Sequence, residues 1–339
     1  WLVKEIYVFH ATGVQMVVKL GIIGYKNHAK RLISILDNKK SCSLEFIYHP
    51  TKKIKDVRGT NKISELLSCD GILISSPNNT HFSYLKELEK FSGYIFCEKP
   101  PVVLRSELNK LKKFKTKRKR KIYFNFNFRF KKINSLFEEV INDKRLGKII
   151  NINIILAHGL SFKKEYVKSW RSKGNKHSVL DTVTVHFIDM LNLHFGKPKK
   201  IHYYPKSINK TGTAYDTVNV NMTYDNGICV QILNSYASPL VNEISILTDN
   251  SWIIFRKNEF IVYHPRDTFD KKGFFKDPPI YKKFKINKDE DYLKSLSCSL
   301  DDFIFHTKNN TPFDLKLFNT SLEVSKIIID LKNKQNLSC

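Results

Sequence analysis

Along the first third of the chain, short apolar runs alternate with longer stretches in which apolar residues recur at helical spacing. The runs Leu20–Ile23, Leu44–Tyr48, Gly71–Ser75, Tyr94–Cys97 and Ile122–Phe128 read as strands. The stretches His28–Leu36, Ile63–Leu67, Phe82–Glu89 and Leu104–Phe114 read as the helices between them. Such alternation predicts a doubly wound parallel sheet. From about Phe130 the texture changes. A helix at Ser135–Ile141 leads through Leu146-Gly147-Lys148 into a long strand, Ile149–Ala157, and a further helix covers Leu180–Phe195. Alternating stretches follow at Lys200–Tyr204, Thr217–Tyr224, Gly227–Ser235, Asn242–Thr248, Ser251–Arg256 and Glu259–His264, with Asp225-Asn226-Gly227 as a hairpin turn. They predict a mainly antiparallel sheet with one or two helices on one face. Helices at Leu300–His306 and Leu315–Leu331 are expected to pack back across the junction. The expected fold class is α/β, with domains at residues 16–128 and 129–312 and a closing helical segment at 313–339. Residues 1–15 carry no clear period, and Met16 directly precedes the first strand; they read as a non-native or disordered extension.

With 339 residues, 42% of them hydrophobic, the chain has enough apolar surface for two cores. No apolar run reaches the roughly 18 residues of a membrane-spanning helix. The six cysteines are scattered without a C-x-x-C pair, which fits a reducing compartment, and a cytoplasmic location is expected. No metal-ligand constellation and no G-x-S-x-G nucleophile turn is present. The formal charge of +26 attracts phosphate groups in general, but the lysines are spread along the chain. The densest run, Lys115 to Lys121, falls between a helix and a strand and reads as a solvated basic loop. Neither a nucleic-acid partner nor a membrane is expected.

Three strand ends carry candidate chemistry. The first strand runs into Gly24-Tyr25-Lys26-Asn27-His28-Ala29, a turn shaped like a dinucleotide fingerprint, with glycine and alanine at two of its three small positions and Lys26 at the middle one. Lys26 either offers its ammonium to a pyrophosphate or fills the space it would occupy. A later strand ends in Ser75-Ser76-Pro77-Asn78-Asn79-Thr80-His81, and the next in Glu98-Lys99-Pro100. Phosphate turn, Ser-Pro-Asn-x-x-His and Glu-Lys-Pro, each closing a strand in that order, resemble the glucose-fructose oxidoreductase/inositol dehydrogenase (Gfo/Idh/MocA) family.

The resemblance implies an N-terminal Rossmann domain binding a nicotinamide dinucleotide, and a C-terminal α+β domain whose open sheet forms dimer or tetramer contacts. It implies cofactor contacts from Gly24, Tyr25, Lys26, Asn27, His28, Ser76, Pro77, Asn78, His81 and Glu98. The second strand ends in His49-Pro50-Thr51-Lys52-Lys53, with no acid to accept from a ribose 2′-hydroxyl, since Glu45 lies too early. His49 and Lys52 therefore favour NADP(H), with NAD(H) the alternative. Lys99, partly desolvated at a strand end, suits proton exchange with a sugar hydroxyl, and Glu98 suits orienting it.

Further on, the resemblance implies that Asn127, Arg129, Trp170 and Arg171 face the substrate, an arginine suiting a carboxylate or phosphate. The loop continues through Gly174-Asn175-Lys176-His177. The family's Asp-x-Gly-x-His-x-x-Asp is matched by His186 and Asp189, His186 being a proton relay or substrate ligand. Registered on His186, however, the first Asp position falls on Thr182, with Asp181 one residue early. Either the chain adjusts so that Asp181 reaches the site, or Thr182 replaces it with a weaker hydroxyl. The implied function is an NAD(P)-dependent oxidoreductase acting on a CH–OH group of a sugar, polyol or nucleotide sugar. The alternative is a non-catalytic ligand sensor on the same fold.

Overall fold

The computed structural model describes residues 17–174 and 178–335. The expected extension at residues 1–15, the loop positions 175–177 and the last four residues lie outside the described residues.

Six parallel strands form the first sheet: β1 (Val18–Ile23), β2 (Cys42–Tyr48), β3 (Gly59–Thr60), β4 (Gly71–Ile74), β5 (Tyr94–Glu98) and β6 (Ile122–Asn125). Their spatial order is β3-β2-β1-β4-β5-β6. The winding reverses between β1 and β4, and beyond the carboxyl ends of those strands a doubly wound sheet opens its ligand crevice. Helix α1 (Asn27–Asp37) covers one face through Ala29, Leu32, Ile33 and Leu36; α2 (His81–Glu87) and α3 (Arg105–Lys112) bury Leu85, Leu108 and Leu111 in the larger core.

The run Lys115 to Lys121 departs from the expected solvated loop. Thr116–Lys119 forms a helical turn, α4, and Arg118 is buried. Strand β6 also ends earlier than expected. The chain turns at Phe126, and Asn127–Phe130 is a 3-10 turn. After α5 (Lys132–Asn142), β7 (Ile149–Ala157) opens the second sheet. Helices α6 (Lys164–Val167) and α7 (Val185–Phe195) precede β8 (Lys200–Lys206), β9 (Thr217–Thr223), β10 (Cys229–Ser235), β11 (Val241–Thr248), β12 (Trp252–Arg256), β13 (Glu259–Tyr263) and β14 (Ile280–Lys285).

The second sheet has the order β14-β13-β12-β11-β7-β10-β9-β8 and is antiparallel except between β7 and β10. Its inward residues, among them Ile152, Ile154, Val230, Ile232, Ile244 and Ile246, share one core with Leu136 and Phe137 of α5 and Phe187, Ile188 and Leu191 of α7. Its other face carries Asn153, Asn219, Asn221, Gln231 and Ser245 together with exposed Leu233, Leu247 and Trp252.

Helix α8 (Lys288–Lys308) extends well beyond the expected Leu300–His306. Asn287 caps it, its Oδ1 accepting from the N–H groups of Asp289 (3.1 Å) and Glu290 (3.3 Å), and the acids of the first turn complement the helix dipole. Its early turns bury Ser295 and Ser299, small residues that leave no hydrophobic period to read. Although α8 falls within residues 129–312, its Leu296, Leu300, Phe303 and Ile304 pack with Leu20, Leu73 and Phe96 of the parallel sheet. Helix α9 (Leu315–Gln335) packs along α7 and α3.

Candidate active site

Four parallel strands deliver their carboxyl ends to one crevice. At the end of β1, Gly24 has φ +117, and a Cβ there would stand 2.5 Å from the carbonyl oxygen of Ser75. Only glycine makes this turn, because the β4 chain lies against it. Lys26 is the N-cap of α1, with extended backbone, no side-chain cap and no acid in the first turn. The first N–H groups of the helix thus stay available to an anion. Lys26 and Asn27 are exposed.

The half-buried Tyr25 ring has Lys30 Nζ at 4.9 Å and Lys52 Nζ at 5.6 Å from its centre. His49 Nδ1 accepts from the backbone N–H groups of Lys52 (2.9 Å) and Thr51 (3.3 Å), fixing the β2 turn. Burial, then the charges of Lys52 and Lys26, push the His49 pKa down.

At the end of β4, Asn78 is only 3% exposed, yet neither polar atom of its amide has a partner among the described residues, and the buried Ser75 hydroxyl is also unpartnered. Buried polar atoms left unpaired cost about 1–3 kcal/mol each. A ribose or nicotinamide amide resting on this turn would satisfy them. The glycine cradle, the open helix N-terminus and these orphaned atoms fit a dinucleotide. The Ser76 hydroxyl already has Thr80 Oγ1 at 2.7 Å, and Pro77 leads into the 3-10 turn Asn78–Thr80. His81 has a different task from the implied cofactor contact. Its Nδ1 faces the Pro100 carbonyl (2.8 Å) and its Nε2 the Ser76 carbonyl (3.1 Å), so the buried ring ties two turns together.

Glu98 is buried. His28 Nε2 and Asn125 Nδ2 both lie 2.7 Å from its Oε1, and Ser299 Oγ donates to Asn125 Oδ1 at 2.7 Å. Burial raises the Glu98 pKa, but His28, Asn125 and Lys99 together overcome this and hold it below the usual value. His28 therefore turns from the start of α1 towards the end of β5. Lys99 is half-buried and donates from Nζ to the Thr182 carbonyl at 2.5 Å. Desolvation lowers its pKa to about 8; Glu98 and Asp181 oppose the shift and Arg171 adds to it.

Leu180–Thr184 is a π-helical turn running into α7. Within it Asp181 does not reach the crevice, which corrects its assignment as a catalytic group. Its carboxylate is fully buried, accepts from the N–H (3.1 Å) and hydroxyl (3.0 Å) of Ser178, and pairs at 2.5 Å with Lys332 of α9. Thr182 takes the half-open position. Its carbonyl holds Lys99, and its hydroxyl lies 2.6 Å from the hydroxyl of Tyr236. His158, at the end of β7, packs against Tyr236 with ring centres 4.9 Å apart.

His186 is buried and stacks on Phe128, with ring centres 4.1 Å apart. Its Nδ1 has no partner among the described residues. Desolvation first, then Lys99, Lys131 and His28, hold its pKa well below the ordinary value, so it is neutral at physiological pH. A neutral imidazole with a buried, unpartnered nitrogen beside a cationic amine suits holding a hydroxyl that enters the site.

Two implied substrate residues are spent elsewhere. Arg129 forms a two-pronged pair with the fully buried Asp189 (Nε–Oδ2 2.8 Å, Nη2–Oδ1 2.7 Å) and also reaches Ser321 Oγ at 3.2 Å. Asn127 is buried and donates to Ser295 Oγ at 2.8 Å, anchoring α8. Arg171 is half-buried. Its guanidinium lies 4.6 Å above the Trp170 ring, is felt by Lys99 and Tyr236, and has no carboxylate partner among the described residues. Sequence reasoning missed Asn125, His158, Tyr236 and Lys332. Asn125 was legible as the polar end of an apolar strand. Lys332 stands 151 residues from Asp181, and no local signal joins them.

Models of one family match two segments of the chain. Residues 18–126 match the oxidoreductase family with an NAD-binding Rossmann fold, and residues 136–254 match the GFO/IDH/MocA C-terminal domain. Together these segments span most of the sequence, and the chain belongs to the Gfo/Idh/MocA oxidoreductase family. No curated protein matches the chain by sequence. Among solved structures it is similar to myo-inositol 2-dehydrogenase from Lactobacillus plantarum (TM-score 0.76, 15% identity, 95% of this chain and 98% of that one). It is also similar to an oxidoreductase from Agrobacterium radiobacter in complex with NAD+, L-tartaric acid and magnesium (TM-score 0.75, 12% identity, 94% and 97%). A third is UDP-N-acetylglucosamine 3-dehydrogenase from Acidithiobacillus ferrooxidans (TM-score 0.70, 14% identity, 94% and 97%). At these identities the likeness is one of fold. Among the described residues no helix is long and apolar enough to cross a membrane, and no cluster of metal-ligating side chains occurs.

Proposed function

We propose that this oxidoreductase moves a hydride between a carbinol carbon of a sugar, polyol or nucleotide sugar and a nicotinamide dinucleotide, with Lys99 exchanging the hydroxyl proton. The observation that carries this reading is the half-buried Lys99 amine, its pKa lowered to about 8 and its position fixed by the Thr182 carbonyl. At neutral pH roughly a tenth of such an amine is already neutral and able to accept a proton. Glu98, held by His28 and Asn125, stabilises the protonated amine. His186 holds the reacting hydroxyl, and Thr182 and Tyr236 offer hydroxyls to the rest of the substrate. Gly24, the N-terminus of α1 and the Ser75–Asn78 turn would hold the dinucleotide, which supplies the hydride acceptor or donor.

The preferred cofactor is NADP(H). Lys52 and Lys30 flank Tyr25 where the β1 and β2 turns meet, and the β2 turn lacks an acid. In a fluorescence titration NADPH binds more tightly than NADH, and Lys52→Glu removes about tenfold of that preference, the size of one charge-assisted contact. Equal affinities in the wild type would sink the assignment.

The substrate is an anionic sugar, because Arg171, which has no carboxylate partner among the described residues, adds a positive charge near Lys99. Arg171→Gln raises KM for such a substrate about tenfold with little change in kcat. An unchanged KM would remove Arg171 from substrate binding. The proteins of known structure that act on myo-inositol and on a nucleotide sugar support this substrate range. The open face of the eight-stranded sheet pairs two or four copies, and the protein works in the cytoplasm.

One observation favours the sensor reading: the Asp181 carboxylate is committed to Lys332. A sensor binds dinucleotide but shows no turnover with any polyol, and Lys99→Ala leaves its ligand affinity intact.

A further inference from the structure

At the opposite end of the parallel sheet from the crevice, where β5 and β6 begin, lies a cavity of about 280 Å³ lined by Tyr94, Lys117, Arg120, Lys121, Asn310 and Pro312. Three of these six are cations and none is an acid. The side chains of Lys117 and Arg120 make no ion pair or hydrogen bond among the described residues, and both are exposed to the cavity mouth. Lys121 donates to the Ser92 carbonyl (2.8 Å), reaches Asn310 Oδ1 at 3.5 Å and lies 4.8 Å above the Tyr94 ring.

The walls are built rigidly. Arg118 points inward and donates to the carbonyls of Phe91, Gly93 (3.0 Å) and Lys121 (3.1 Å), which pins the basic turn onto the sheet. The loop between α8 and α9 is stitched to the same place. The Tyr94 hydroxyl lies 3.2 Å from Asn310 Oδ1 and 3.1 Å from the Thr311 carbonyl, and the Phe313 N–H donates to the Arg120 carbonyl at 2.8 Å. Asn310 adopts a left-handed backbone (φ 49) to close that loop. Cations held together on a fixed frame without a counter-ion repel one another, and an anion among them removes the repulsion. Lys121 registers this: burial first, then Arg118 and Lys117, depress its pKa.

We propose that this cavity binds a small phosphorylated molecule, the phosphate bridging Lys117 and Arg120 and the uncharged body resting against Pro312 and Asn310. A guanidinium and an ammonium side by side match a phosphate better than a carboxylate, since three oxygens need donors from more than one direction. The cavity is open-mouthed and of small-molecule size, whereas a nucleic-acid strand requires a continuous basic groove. The ligand would sit on the starting ends of the two strands that deliver Glu98 and Asn125, separated from the dinucleotide crevice by the length of the sheet.

Calorimetric titration of the full chain with inorganic pyrophosphate at low ionic strength tests the site. Saturable binding is expected, with a component that is weakened at least about tenfold by Lys117→Gln combined with Arg120→Gln and that persists when Lys26→Gln and Lys52→Gln together weaken binding at the dinucleotide turn. Both changes in the cavity are at exposed positions, and an unaltered circular dichroism spectrum shows that the fold is kept. Absence of saturable binding overturns the proposal. So does binding that ignores the Lys117 and Arg120 changes but follows Lys26 and Lys52. Tight binding of a single-stranded oligonucleotide through Lys117 and Arg120, without pyrophosphate binding, would replace it with a nucleic-acid surface.

Discussion

Replacing Lys99 with methionine is expected to lower kcat/KM by about 10²–10⁴-fold, the usual share of a positioned general base or acid. Methionine keeps the length and apolar stem of the side chain while removing the titrating amine. Dinucleotide affinity should not change, because the glycine turn, the Ser75–Asn78 turn and the start of α1 are untouched. The wild-type pH profile gives the second half of the test. The amine is cationic below its pKa, so oxidation of a carbinol, which needs the neutral form, speeds up with rising pH and levels off above about 8. Reduction needs the ammonium and slows through the same value. The methionine variant should show neither limb. A variant that keeps the wild-type rate, or a profile with no inflection near this pH, would remove Lys99 from the chemistry.

Changing Asp189 to alanine is expected to cost about 3–5 kcal/mol of folding stability, because it strands the Arg129 guanidinium without its partner in the core. The pair is bidentate and almost wholly inside the protein, with 12% of the Arg129 side chain and 1% of the Asp189 side chain exposed. Replacing both partners together, with Arg129→Met and Asp189→Leu, should recover most of the loss, since no unpaired charge then remains buried. Urea unfolding midpoints measure the effect, with KM determined on the same proteins. If Arg129→Met raised KM tenfold while barely moving the midpoint, the arginine would belong to the substrate and the structural role would be wrong.

The strands of the parallel sheet were readable because each is a short apolar run closed by a polar turn, and the order of those turns pointed to the crevice. The place of Lys99 at a strand end was readable for the same reason, since it is the first residue beyond β5. Element ends were harder. Phe126-Asn127-Phe128 alternates as a strand does, yet the chain bends there because Asn127 is drawn into a hydrogen bond with Ser295, far along the sequence. The early half of α8 hid behind serines that pack by being small. The site residues that went astray share one physical cause. Asp181 and Arg129 are charged groups beside a cleft, and sequence spacing alone does not say whether such a group faces the cleft or a buried counter-charge. Lys332 and Asp189 decided it, one from a distant helix and the other already matched to a motif for another reason. In the basic run, likewise, Arg118 could not be told from its solvated neighbours until the carbonyls of Phe91 and Gly93 were seen to surround it.

The π-helical turn at Leu180–Thr184 and the one-residue slip of Asp181 against His186 are a single fact seen twice. A π-turn holds one residue more than an α-helix of the same span. Counting back from His186 with that extra residue removed, Asp181 would fall where the family carries its acid. Instead, the surplus residue rolled the carboxylate away from the crevice onto Lys332 and brought a threonine carbonyl to the amine of Lys99. The turn therefore commits the Asp181 charge to Lys332 and leaves the amine of Lys99 with a neutral oxygen as its partner.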